Sequence, residues 1–77
     1  MKNKIKKIIF NIAGYKANNK TNIDLVQKGI LDSFSLLMLI TELEKTFKIK
    51  INLKKLNTEK LRTIDKLENL VKTMKKS

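Results

Sequence analysis

The sequence predicts an all-α fold: a small four-helix bundle of three main helices and one short one, with a long loop between helices one and two. Three observations lead there. Apolar residues recur at helical spacing in three separate segments. The chain has no proline, so nothing breaks those segments. Its 77 residues allow a single domain, 1–77, whose small core has to come from efficient helix packing.

Helix one is read over Lys2 to Ala13, because Ile5, Ile8, Ile9 and Ile12 share a face and Gly14 follows as a C-cap. Tyr15 to Asn22 is polar and reads as loop. The loop continues to Asp32 but carries Ile23, Leu25, Val26, Ile30 and Leu31, so it is expected to pack over the core. Helix two begins at an N-cap supplied by Asp32 or Ser33 and runs to Phe47. At about 100° per residue, Leu36, Ile40, Leu43 and Phe47 form one stripe with Leu39 at its edge. Phe34 and Met38 point the other way, beside Thr41 and Lys45, and folding does not account for them. Ile49 and Ile51 are expected to plug the core from an extended connection. A short third helix is placed within Leu53 to Arg62, around Thr58 to Leu61. Thr63 then caps the last helix, with Asp65 in its first turn to suit the dipole. Ile64, Leu67, Leu70, Val71 and Met74 carry that helix to the C-terminal lysines.

Composition narrows the function. The chain has no cysteine and no histidine, which removes disulfides, thiolate metal sites, a histidine base and a Ser-His-Asp triad. No catalytic residue and no metal ligand set is assigned, and the chain is not read as an enzyme. No apolar run approaches the roughly 20 residues that span a bilayer. The basic start ends its apolar stretch (Ile8-Ile9-Phe10) at Asn11, too soon for a secretory signal, so a cytoplasmic protein without stable membrane insertion is expected.

The net charge of +11 raises a competing class, a basic helical nucleic-acid-binding domain. Nearly all of that charge is lysine, with Arg62 the sole arginine, whereas base and phosphate recognition favours the guanidinium fork. A helix-turn-helix also needs two helices joined by a turn of about 3–4 residues, and the connections beside helix two are longer. Residues 1–20 carry six lysines and no acid, and residues 49–77 carry nine basic and three acidic side chains. Residues 32–48, by contrast, sum to −1. Withholding positive charge from the longest helix argues against a phosphate-tracking surface. A third reading takes Lys2 to Phe10 as a membrane-surface helix, although its isoleucines are accounted for as core.

The informative stretch is Gly29-Ile30-Leu31-Asp32-Ser33-Phe34-Ser35-Leu36. It sets a serine hydroxyl at the N-terminus of a long amphipathic helix, where unpaired N–H groups and the positive dipole tolerate a phosphate. Taken alone, Asp-Ser before an apolar helix is an ordinary cap. The ordered set around it carries more: Leu31-Asp32-Ser33-Phe34, Glu42-Leu43-Glu44-Lys45-Thr46-Phe47, Ile49-Lys50-Ile51, then Leu61-Arg62-Thr63-Ile64-Asp65-Lys66-Leu67. Over almost its full length the chain resembles the acyl carrier protein and peptidyl carrier protein family.

That resemblance implies a 4'-phosphopantetheine arm, transferred from coenzyme A to Ser33 by a Mg-dependent phosphopantetheinyl transferase, with Asp32 beside it. The arm's thiol would carry acyl or aminoacyl thioesters between an activating ligase and acyltransferases or synthases. It also implies that Phe34, Leu37 and Met38 dock partner enzymes; Glu42 and Glu44, acids of the one segment not dominated by lysine, are expected to join them, and a monomer is expected. Fatty-acid carriers are usually acidic along helix two, whereas here Ser35 and Met38 stand where acids tend to be and Lys45 interrupts the later cluster. The D-alanyl carrier of teichoic acid modification is similar through helix two, and it is kept as an alternative.

Overall fold

The computed structural model describes residues 1–52 and 54–75, so Leu53, Lys76 and Ser77 lie outside the account. That leaves untested the placing of Leu53 at the start of the short-helix segment, and the last helix beyond Lys75. The elements in order are α1 (Lys2–Ala13), α2 (Ser33–Phe47), a 3-10 turn (Thr58–Leu61) and α3 (Ile64–Lys75). All three main helices and the short one fall where the sequence places them.

α1 buries Ile5, Ile8 and Ile9 and ends at Gly14, whose left-handed φ of 70° lets its N–H reach Phe10 O at 2.8 Å. A glycine bears that conformation without the crowding a Cβ would bring. α1 packs on α2 and α3, and α3 also meets the 3-10 turn. Thr63 Oγ1 accepts from Lys66 N at 3.0 Å, the expected cap of α3, and Leu67, Leu70 and Val71 face inward.

α2 sits slightly rotated from the stripe read off the sequence. Leu39 is fully buried with Leu43, while Leu36 is only half-buried. The reason is that α2 meets more than one neighbour: helices, the long loop and Ile51 together bury an arc wider than a single stripe. The helix ends at Lys48 in the left-handed region (φ 54°), and Glu44 organises the reversal. Its carbonyl accepts from Ile49 N at 3.2 Å, and its Oε2 accepts from Ile51 N at 2.9 Å. Ile51 thereby enters the core, as expected, with Ile49 half-buried beside it.

The connection from 14 to 32 is part of the core. Leu25 and Leu31 are buried, and Val26 and Ile30 pack against them. Asp24 turns the chain by accepting from Val26 N (3.1 Å) and Gln27 N (2.9 Å) through Oδ1. Two distant ties hold the loop down. Leu25 N donates to Arg62 O at 2.7 Å, with the Arg62 guanidinium Nε 2.8 Å from Asp24 Oδ2 as an ion pair. Thr21 Oγ1 donates to Asp65 Oδ1 at 2.6 Å while Asp65 N donates back to Thr21 O at 3.0 Å. The loop thus arrives at Asp32 along a fixed path.

Candidate functional site

The site is built from the end of that loop and the first turns of α2. Asp32 takes the extended backbone of an N-cap (φ −122°, ψ −173°), and its Oδ1 accepts from Ser35 N at 2.8 Å. Those hydrogen bonds from Ser35, backbone N–H first, hold the Asp32 carboxyl below the usual carboxylate range. The sequence left open whether Asp32 or Ser33 caps the helix; Asp32 does.

The consequence falls on Ser33. As the first residue of α2 it is exposed, and its hydroxyl takes no hydrogen bond among the described residues. The hydroxyls of Thr21, Thr41 and Thr73 are bonded, to Asp65, Leu37 O and Asn69 O, and Ser35 two positions on leans on Asp32. Ser33 Oγ is therefore free, at the positive end of a 15-residue helix. A phosphodiester fits that position, because first-turn N–H groups and the dipole favour negative charge there.

One side of Ser33 opens on a groove of about 330 Å³, walled by Leu36, Leu37, Ile40, Leu56, Thr58 and Leu61. Leu56 and Thr58 carry no sequence signal for a site, since neither belongs to a periodic apolar pattern. Across Leu37 the groove adjoins an outward apolar patch: Phe34 is 71% exposed, Leu37 54% and Met38 39%. Thr41 and Glu42 continue this patch. Phe34, Leu37, Met38 and Glu42 thus line one surface, and Leu37 also lines the groove beside Ser33.

Glu44 is not brought into that patch. It is half-buried, and its carboxylate is occupied by Ile51 N, so its visible role is to close the end of α2. A larger depression of about 410 Å³ lies between the 3-10 turn and α3, but its hydroxyl, Thr73, is already bonded. No helix among the described residues is long and apolar enough to cross a membrane.

Compared with known families, residues 3–71 match the family model described as "Phosphopantetheine attachment site". No curated protein matches the chain. The match spans nearly the whole fold, from α1 into α3, and it accords with a free serine at a helix start beside a groove. The chain belongs to the phosphopantetheine attachment site family: it is a carrier protein domain, non-catalytic in itself, whose prosthetic group is 4'-phosphopantetheine.

Proposed function

We propose that Ser33 Oγ is the atom that bears the phosphopantetheine, and that the chain carries small acyl or aminoacyl groups. The observation that carries this reading is the division of labour at the start of α2. Asp32 takes the capping bond and leaves the Ser33 hydroxyl uncommitted and exposed. Asp32 is accordingly a positioning residue, fixing the first turn on which Ser33 stands.

Bound there, the group supplies a terminal thiol that holds cargo as a thioester. The rest falls to the protein. With no histidine to activate it, Ser33 has to be modified by a separate transferase, which supplies the base. Phe34, Leu37 and Met38 offer apolar anchors for that transferase and for the ligases or acyltransferases that follow, with Glu42 as the flanking charge. Docking through an apolar patch suits a chain whose α2 lacks a broad acidic face.

The groove supports a small cargo. At about 330 Å³ it stands at the low end of ligand sites, which run from about 300 to 1,000 Å³. Its leucine and isoleucine walls would shelter part of the arm or a short acyl group; a D-alanyl group is one cargo of this size. In this reading the carrier works in the cytoplasm, where coenzyme A is supplied.

The test is intact-mass measurement after incubation with coenzyme A, Mg and a broad-specificity phosphopantetheinyl transferase. Wild type should gain one phosphopantetheinyl group and Ser33→Ala none. An unmodified wild type, or a modified Ser33→Ala, would remove the assignment.

A further inference from the structure

We propose that the outward face of α1, formed by Lys4, Lys6, Lys7 and Phe10, is a docking surface for the headgroup layer of an anionic lipid bilayer. The proposal does not depend on the arm or on Ser33.

The first observation is uncompensated charge. Residues 1–20 contain six lysines and no acid. Of the lysines in α1, Lys2 alone reaches acids, Asp65 at 3.2 Å and Glu68 at 3.7 Å. Among the described residues Lys4, Lys6 and Lys7 form no ion pair, so their charge is met by no carboxylate of the chain.

The second observation is that this arrangement works against the helix. Lys2 and Lys6, and Lys4 and Lys7, are like-charged neighbours at i,i+4 and i,i+3, spacings that destabilise a helix. They also crowd the end where the dipole is positive, and the first turn has no acid to offset them. An anionic surface laid against this face would relieve both repulsions. Charge complementarity thus names the occupant.

The third observation is Phe10. It is 47% exposed and does not join the side chains packed against the core, whereas Ile5, Ile8 and Ile9 of the same helix are buried. Helical side chains lean toward the N-terminus, so its ring lies over the turn that holds Lys6 and Lys7. An aromatic ring flanked by lysine ammoniums suits the headgroup boundary, where the ring enters the apolar edge and the cations meet lipid phosphates.

Lysines as point charges around one apolar ring, with no arginine fork, favour lipid over nucleic acid. The isoleucines that would insert deeply are already spent on the core, so the association is reversible adsorption. No residue of α1 lines the groove beside Ser33 or the Phe34 patch, so adsorption through α1 does not use those surfaces.

The experiment uses the full chain with vesicles of phosphatidylcholine containing phosphatidylglycerol, and with pure phosphatidylcholine vesicles, in a sedimentation assay at low ionic strength. Lys4→Gln/Lys6→Gln/Lys7→Gln is compared with a control of equal charge, Lys54→Gln/Lys55→Gln/Lys60→Gln, with circular dichroism confirming that both fold. The α1 triple should weaken partition onto anionic vesicles about a hundredfold, from roughly fivefold per surface lysine, and the control by less than about tenfold. Phe10→Trp should shift its emission to the blue on anionic vesicles and not on neutral ones. Equal losses from the two triples, adsorption to neutral vesicles as strong as to anionic ones, an unmoved Phe10→Trp emission, or tighter binding to duplex DNA than to anionic vesicles would each overturn the proposal.

Discussion

Leu25→Ala tests whether the long loop is structure or mere connection. Leu25 is fully buried, its N–H donates to Arg62 O at 2.7 Å, and its carbonyl accepts from Ile30 N and Leu31 N. Truncation to alanine withdraws three methyl or methylene groups at about 0.8 kcal/mol each, about 2.4 kcal/mol of transfer free energy. The volume left unfilled raises the loss to about 3–4 kcal/mol. A chain of 77 residues has a total stability of about 4–12 kcal/mol, so one loop substitution removes a quarter or more of it. In a domain of this size the midpoint of thermal unfolding should fall by roughly 12–30 °C. Circular dichroism on heating, with urea unfolding as a check, measures both. A loss within about 0.5 kcal/mol, the range of surface substitutions, would refute the reasoning and show the loop merely lying over the bundle.

Other outcomes follow from the same contacts. Phe34→Ala should leave stability within about 0.5 kcal/mol yet weaken transferase docking by at least about 1 kcal/mol, seen as a raised KM; unchanged kinetics would remove Phe34 from the docking patch. Glu44→Ala leaves Ile51 N without its acceptor and should cost about 1–3 kcal/mol, whereas Glu44→Gln retains an acceptor and most of the stability. Transferase kinetics that change in Glu44→Gln while its melting does not would return Glu44 to the docking surface. Hydrogen bonds hold the carboxyls of Asp24, Asp32 and Asp65 below 3.8, from Gln27 N, Ser35 N and the Thr21 hydroxyl respectively. Their folded values lie below the unfolded ones, so the stability they add is complete above about pH 4 and is lost as the pH falls through the folded values. The melting temperature should therefore drop on acidification below about pH 4; a rise there would contradict these bonds.

Local features were the legible ones. Isoleucine spacing, Gly14 and Thr63 marked helix ends, because caps and periodicity act over a few residues. The exposure of Phe34 and Met38 followed from the same geometry. The choice between Asp32 and Ser33 as cap stayed open because both residue types cap helices, and only backbone conformation separates them. A helical wheel puts Leu39 at an edge because it cannot say how many neighbours a helix has. The ties of Thr21 to Asp65 and of Asp24 to Arg62 join residues about forty apart, with no local pattern to announce them. Glu44 looked like one of a pair of docking glutamates with Glu42. It lies two residues further along the helix, turned toward the Ile51 connection.

The central claim is that Asp32 does the capping and so leaves Ser33, rather than Ser35, to bear the arm. Fragmentation mass spectrometry of the transferase-treated wild-type protein tests it most directly. Every modified fragment should carry the phosphopantetheinyl group on Ser33. Its presence on Ser35 would show that the capping arrangement does not select the attachment site.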